Sequence, residues 1–182
     1  MSRNVIALIG LETFKSKGKL RFAETFANNI LTWKRDNPKD IVTSIDARKY
    51  RDNDNPMLDM WNDIKKTYVD GIDVLLYSGH SDWEGLYIIS HYRKGDIPDS
   101  TRYVEYTTSW EGIIFKPNAE IRLMGCRAGG DYKVFDVCIA QDIANKTNTD
   151  VYAYTCKTSQ KFRNGGYYQI PESGDFIKFC KK

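Results

Sequence analysis

The chain has 182 residues, of which 41% are hydrophobic and 28% charged, and its formal net charge is +3. These values are typical of one globular domain, here residues 1–182, with a core that needs no disulfide or metal to hold it together. The charge is too small to indicate a nucleic-acid partner, and no apolar run is long enough to span a membrane.

The cysteines and histidines are too widely spaced to predict a metal centre. The chain has four cysteines and two histidines but no Cys-x-x-Cys pair, so a zinc site would need scattered ligands. We therefore expect no metal and no cofactor. The apolar stretch at residues 5–10 is short for a signal peptide. We expect a protein with reduced thiols that is cytoplasmic, or exported without a standard signal peptide.

Hydrophobic periodicity predicts strands that alternate with helices. The first elements are a strand at 3–10, a helix at 19–34, a strand at 41–45, a helix at 56–68 and a strand at 72–77. After an intervening segment come a strand at 119–124, a helix at 134–145 and a strand at 151–155. This alternation predicts a mostly parallel central sheet with helices on both faces, which is a three-layer α/β sandwich.

The remaining segments are predicted to be shorter or irregular. Residues 81–109 contain turn signals and a hairpin-like arm, and we interpret them as a small β insertion at the edge of the sheet. We also expect a short helix at 109–115, a loop at 48–55, and a tail from residue 159 in which turns alternate with two short strands at 167–170 and 176–179.

Two of the predicted strands end in glycine followed by a reactive side chain. Residues 74–81 read VLLYSGHS, and residues 121–130 read IRLMGCRAGG. Because parallel strands bring their carboxyl ends to one edge of a sheet, we expect His80 and Cys126 to lie together there. An imidazole that acts as a base beside a thiol is the minimum set for a cysteine nucleophile.

Each of these residues also has a structural explanation when it is considered alone. A single cysteine at a strand end is commonly a buried small hydrophobe, and a single histidine is commonly a loop residue bonded to the backbone. The other histidine, His91, lies inside the predicted insertion, so His80 is the favoured base. Asp82 and Glu84 are close enough in sequence to orient His80, but such acids are usually solvated.

Taken together, these motifs resemble those of the caspase-like (clan CD) cysteine peptidases. Within that group the chain is most similar to bacterial CHAT-type domains and to toxin self-processing domains. The resemblance is best over residues 72–155 and rests on five short segments: LLYSGH at 75–80, WEGL at 83–86, LMGCRAG at 123–129, IAQDIA at 139–144 and TDVYAY at 149–154.

The resemblance implies a caspase-like fold and hydrolysis of peptide bonds by a bacterial thiol protease. The substrate would be a protein or peptide, either the chain itself or a partner. Cys126 would be the nucleophile and His80 the proton-transfer partner, while the backbone amides of Ser81 and Cys126 would form the oxyanion hole. The family usually has glycine directly after the histidine, and Ser81 departs from that pattern.

The resemblance also implies where the residue before the scissile bond would bind. Family members form that pocket from a loop that corresponds here to residues 155–164. This segment contains Lys157, Lys161 and Arg163. A pocket with cationic walls would favour acidic side chains, whereas lysines in a loop also commonly face water.

Two other functions are compatible with the same sequence. The first is a catalytically inactive caspase-like module that binds a peptide or protein, which the Ser81 departure and the 12 tyrosines and four tryptophans favour. The second is a nucleotide- or phosphate-binding α/β protein, but neither a G-x-G-x-x-G motif nor a phosphate loop with Lys-Ser/Thr occurs. No feature of the sequence predicts the oligomeric state.

Overall fold

The computed structural model describes residues 2–10, 22–50, 53, 56–81, 86–87, 112–130, 138–163, 166–171 and 176–182. The strands in chain order are β1 (Asn4–Ile9), β2 (Ile41–Asp46), β3 (Ile72–Ser78), β4 (His80–Ser81), β5 (Leu86–Tyr87), β6 (Phe115–Leu123), β7 (Asp150–Tyr154), β8 (Thr158–Arg163), β9 (Gly166–Pro171) and β10 (Phe176–Phe179). The helices are α1 (Phe22–Asp36), α2 (Pro56–Thr67) and α3 (Ile139–Thr147), and a 3₁₀ turn spans Ala47–Tyr50.

Among the described residues, six strands form the central sheet in the order β10-β7-β6-β3-β1-β2. The pairings β1–β2, β1–β3, β3–β6 and β6–β7 are parallel, and of these six strands β10 alone pairs antiparallel, at one edge. The prediction of a mostly parallel sheet is therefore confirmed. The two strands that precede His80 and Cys126, which are β3 and β6, are direct neighbours near the middle of this sheet.

Helices pack on both faces of the sheet because side chains of a strand alternate between its faces. One face forms a large buried cluster with α2 and α3, which includes Leu8, Leu75, Trp61, Ile121, Leu123, Ile139 and Ile143. On the other face α1 packs mainly against β1 and β3, through Phe26 and the side chains of Val5, Ala7, Ile9, Val74 and Leu76, with Val42 of β2 at the margin. The arrangement is the predicted three-layer α/β arrangement, with one face incompletely covered among the described residues.

The prediction of a short helix at 109–115 is wrong where it can be checked. Residues 112–114 are irregular, and Phe115 already begins β6. The pairing of β3 with β6 shifts register between Ile72 and Val74, and Asn118 has a φ of 65°. A bulge of this kind lets a strand contain a proline, here Pro117, which otherwise signals a turn.

The loop that the family resemblance implied at residues 155–164 is also wrong. Residues 158–163 form β8, which pairs antiparallel with β9 in a separate two-stranded sheet. The β9 strand of this hairpin lies against α1. The expected loop at 48–55 begins inside the 3₁₀ turn, whereas the two expected tail strands are present as β9 and β10.

Most of the predicted insertion at 81–109 lies outside the described residues. Its described part consists of Ser81, which belongs to β4, and of β5. The strands β4 and β5 pair antiparallel with each other. The first residues of two predicted helices, 19–21 and 134–137, also lie outside the described residues, and both helices are present where the structure describes them.

Candidate active site

The candidate site lies at the carboxyl ends of β3 and β6. Tyr77 pairs with Leu123 in parallel register, and the Met124 N–H donates to the Tyr77 carbonyl at 2.9 Å. The two chains therefore leave the sheet side by side, at the same edge. From α1, the Asn29 side-chain amide donates to the Ser78 hydroxyl at 3.0 Å and fixes the end of β3.

A direct hydrogen bond joins the segments that follow these strands. The Ser81 hydroxyl donates to the Cys126 carbonyl at 2.8 Å, although the two residues are 45 positions apart in sequence. Ser81 is only 6% exposed, so its side chain is directed into the protein. The residue directly after His80 is therefore hydrogen-bonded to the backbone of Cys126, the candidate nucleophile.

Gly125 makes this close approach possible. A Cβ atom at Gly125 would overlap the Ser81 hydroxyl and would lie 2.7 Å from the Ser81 Cβ and 3.0 Å from the Gly79 carbonyl oxygen. Ser81 thus occupies the space that a side chain at residue 125 would fill. The extra bulk of serine, relative to the glycine usual in the resembled family, is accommodated between the two segments.

His80 belongs to β4 and pairs with Tyr87 of β5 through its backbone. Its imidazole lies outside the described part of the structure, so the pairing of His80 with Cys126 stays a prediction. The other groups considered near it, which are His91, Asp82 and Glu84, also lie outside the described residues.

The Cys126 side chain is half-buried and contacts one residue of β8, Thr158. The Thr158 N–H donates to Sγ of Cys126 at 3.3 Å. The Thr158 carbonyl oxygen lies 3.4 Å from the same sulfur, and its hydroxyl lies 3.2 Å away, with either partner able to donate. This contact was not predicted from the sequence, because the start of β8 has no apolar alternation.

The turn after Cys126 is held from two sides. The Arg127 N–H donates to the Cys156 carbonyl at 2.9 Å, and the Gly129 N–H donates to the Tyr154 carbonyl at 3.0 Å. Ala128 accepts a hydrogen bond of 3.1 Å from the first turn of α3. Arg127 has a φ of 50°, so the backbone turns sharply directly after the cysteine. The described turn is small and rigidly attached, as an oxyanion-binding turn needs to be. The assignment of the Ser81 and Cys126 amides to that role remains a prediction.

The other thiols differ from Cys126 in their surroundings. All four cysteines are free. Cys138 is buried at the start of α3, and this burial raises the pKa of its thiol, which makes it unreactive at neutral pH. Cys180 is exposed and Cys156 is half-buried.

The described part of the chain contains no group of three or more His, Cys, Asp or Glu side chains arranged to hold a metal ion. None of its helices is long and apolar enough to cross a membrane.

A groove of about 370 Å³ lies between α1 and the uncovered part of the sheet. It extends from Arg3, beside the start of β1, to Met124, which is two residues before Cys126. On its floor the Arg122 guanidinium lies between two rings, 5.2 Å from the centre of Trp33 and 5.4 Å from that of Tyr152. Sequence reasoning missed this groove.

The signal for the groove was present in the strand sequences. Along β6, the buried Ile121 and Leu123 alternate with Glu120 and Arg122. A strand with helices on both faces is apolar throughout, as β1 is. Alternation in a central strand therefore indicates that one of its faces is not covered by a helix.

One ion pair closes the far end of the groove. Arg3 contacts Asp40 at 2.8 Å, and the Trp33 indole N–H donates to the same carboxylate at 3.0 Å. Burial disfavours the charged form of Asp40, but the hydrogen bonds from Arg3 and Trp33 outweigh it and hold its pKa below the ordinary value. Asp40 is therefore a structural carboxylate that fixes Trp33 in the wall of the groove.

No protein-family model matches the chain, and neither a curated protein nor a solved structure matches it. We therefore infer the function from the residues and their geometry.

Proposed function

We propose that the protein is a caspase-like cysteine endopeptidase that uses His80 and Cys126. The observation that supports this most directly is the hydrogen bond of 2.8 Å from the Ser81 hydroxyl to the Cys126 carbonyl. Since His80 directly precedes Ser81, this bond keeps the backbone that carries the imidazole next to the backbone that carries the thiol. A base within reach of a thiol is the requirement for a cysteine nucleophile.

In the proposed reaction, the Cys126 thiolate attacks the carbonyl carbon of the scissile peptide bond. The backbone amides of Ser81 and Cys126 bind the oxygen that becomes negative in the tetrahedral intermediate. Protonated His80 then gives its proton to the leaving amine, and the thioester that remains is hydrolysed by water, which restores the thiol.

Two further properties of Cys126 support this role. It is partly accessible, in contrast to the buried Cys138, and the small residues Ala128, Gly129 and Gly130 follow it. Small side chains next to a nucleophile let the backbone of a peptide substrate approach closely. We propose a protein or peptide substrate, either a segment of this chain or a partner protein.

The test is mass spectrometry of new peptide termini after incubation with a proteome-derived peptide library. The wild-type protein is expected to produce cleavage products, and Cys126→Ala and His80→Ala are expected to produce none. Cys180→Ala and His91→Ala are matched controls that should retain cleavage. The intact mass of the purified wild-type chain, compared with that of Cys126→Ala, reports self-processing. Cleavage that survives in Cys126→Ala would refute the proposal.

The groove supports a second candidate function, a non-catalytic module that binds a peptide. Its lining combines a guanidinium held between aromatic rings with the side chains of Met124, Tyr154 and Phe176, a composition typical of recognition surfaces. Under this function Cys126→Ala would still capture peptides from the same library, and Arg122→Ala would not. The exposed Lys66 on α2 supplies a control, Lys66→Ala, that should capture peptides normally.

A further inference from the structure

We propose that the groove beside α1 binds the carboxyl terminus of a peptide whose last side chain is aromatic. The inference rests on the second candidate function and deepens it, because it names the end of the peptide that the groove accepts. The groove has a volume of about 370 Å³ and lies on the part of the sheet that α1 leaves open. This volume is within the range of ligand-binding clefts, which begin at about 300 Å³.

Arg122 supplies a cationic donor in the floor of the groove. Its guanidinium lies 5.2 Å from the centre of the Trp33 ring and 5.4 Å from that of Tyr152, and its Nη2 donates to Glu120 at 3.1 Å. Its Nε is buried without a hydrogen-bond partner, and among the described residues its Nη1 has none either. The side chain is 37% exposed, so a guanidinium that is already held in place keeps donors for a ligand.

A second donor lies on the neighbouring strand. Tyr154 lines the same groove, and its hydroxyl has no hydrogen-bond partner among the described residues. Burial raises the pKa of this hydroxyl, so it keeps its proton at neutral pH. Arg122 pairs with Tyr152, and Tyr154, two residues further along β7, projects from the same face of the sheet. A carboxylate in the groove can therefore accept from both groups, and its bond with the guanidinium is charge-assisted.

The charges around the guanidinium favour a ligand with a single negative charge. Glu120 bridges the two arginines of the groove, at 3.6 Å from Arg3 and 3.1 Å from Arg122. Arg3 is also bonded to Asp40 at 2.8 Å, so Arg122 is the arginine of the described lining with open donors. A phosphate dianion would be repelled by Glu120 and Asp36 in the same groove, whereas a carboxylate brings one charge only.

The apolar lining beside these donors favours an aromatic side chain. Phe176 and Tyr154 contact each other with ring centres 4.6 Å apart at an angle of 48°, and both residues are half-buried. Met124 and Leu76 also line the groove. An aromatic ring of a ligand gains tilted contacts with such a ring pair and a sulfur contact with the methionine.

The length of the groove favours a peptide over a free aromatic acid. Glu120 and Met124 both line it, and four residues of a strand span about 13 Å. A single residue with its carboxylate fills only part of that distance. Along the opposite wall α1 supplies Asn29 and Thr32, whose side-chain oxygens can bond the backbone of the preceding peptide residues.

The experiment is an NMR titration of the isotope-labelled full chain, followed at the indole N–H of Trp33, which is assigned by its loss in Trp33→Phe. The probes are the peptide acid acetyl-Gly-Gly-Gly-Phe, its carboxyl-terminal amide and acetyl-Gly-Gly-Gly-Ala. We expect saturable binding of the first probe, with a dissociation constant on the order of 1 mM. The other two should bind about tenfold more weakly, since one lacks the charge and the other the ring.

Two variants test the named donors. Arg122→Met should weaken binding of the peptide acid about tenfold, and Tyr154→Phe, which keeps the ring, about threefold. Lys66→Met removes an exposed cation from α2, on the other face of the sheet, and should bind like the wild type. The dispersion of the spectrum reports folding. Should Arg122→Met fail to fold, the comparison of acid and amide on the wild type still decides.

The inference is overturned if the amide binds as tightly as the acid, or if a folded Arg122→Met binds like the wild type. The absence of a saturable shift up to about 10 mM peptide acid would overturn it as well. An affinity for N-acetylphenylalanine equal to that for the peptide would overturn the assignment to a peptide, because one residue would then fill the site.

The outcomes for cleavage, for peptide capture and for this inference are separate. The described lining of the groove does not include Cys126, so Cys126→Ala should bind the peptide acid like the wild type. A protein that cleaves peptides but does not bind the acid refutes only this inference. A protein that captures library peptides whatever their last residue keeps the second candidate function and refutes the preference for an aromatic carboxyl terminus.

Discussion

Gly125→Ala is the substitution that most directly tests the contact between the two strand ends. The added Cβ would overlap the Ser81 hydroxyl and would lie 2.7 Å from the Ser81 Cβ, so Ser81 has to move. Its hydrogen bond to the Cys126 carbonyl is then lost, which costs about 1 kcal/mol. Overpacking of a tight site adds about 1–3 kcal/mol. We expect a total loss of about 2–4 kcal/mol in the free energy of unfolding.

The measurement is equilibrium unfolding in denaturant for the wild type, Gly125→Ala, Ser81→Gly and the double variant. Ser81→Gly alone loses the hydrogen bond and gains backbone freedom in the unfolded chain, at a cost of about 1–2 kcal/mol. In the double variant the overlap with Ser81 disappears, and the contact with the Gly79 carbonyl at 3.0 Å remains. The double variant should therefore be more stable than the sum of the single losses predicts. Strictly additive losses, or a Gly125→Ala protein as stable as the wild type, would refute the described packing.

Three further results are expected from the described residues. Because the pKa of Asp40 is lowered in the folded protein, its ionised form stabilises the fold. This contribution to the free energy of unfolding should be complete above the ordinary pKa of 3.8 and should be lost as the pH falls through the lower pKa of the folded protein. Asp40→Asn should remove it from unfolding curves measured between pH 2 and 6. Arg122→Met should lower the free energy of unfolding by about 1 kcal/mol in denaturant, because it removes the contacts with two rings. At neutral pH iodoacetamide should modify Cys126 faster than the more exposed Cys180, and Cys138 most slowly, as read by peptide mass spectrometry.

Each of these has a clear contrary outcome. If the free energy of unfolding of Asp40→Asn falls at acid pH just as that of the wild type does, the ion pair with Arg3 adds nothing to stability. An Arg122→Met protein as stable as the wild type would mean that the ring contacts are compensated by solvent. Labelling rates that simply follow exposure, with Cys180 first, would count against an activated thiol at Cys126.

The sequence predicted the elements whose side chains are apolar on both faces. The strands at β1 and β3 are buried along nearly their whole length, so their hydrophobic runs were recognisable, and the glycines that end two strands marked the candidate edge. The start of β6 was missed because Pro117 and Asn118 are usually turn residues, and only the tertiary pairing shows that they lie in a bulge. The strand at β8 was missed because its sequence, TSQKFR, lacks an alternating apolar face.

Contacts between segments that are distant in sequence could not be predicted from sequence patterns, for a different reason. The fit of Ser81 against Gly125 depends on the register of β3 with β6, and a shift of one residue would abolish it. The approach of Thr158 to Cys126 depends on a hairpin that the sequence did not reveal. The residue types were visible, but their spatial relation follows only from the assembled sheet.

The backbone support of Cys126 and the polar contacts of its sulfur come from two different sheets. Cys126 follows a strand of the central sheet, whereas the polar groups around its sulfur belong to the separate two-stranded sheet that β8 and β9 form among the described residues. A substitution at residue 158 would therefore change the groups that contact the sulfur without changing any residue of the central sheet.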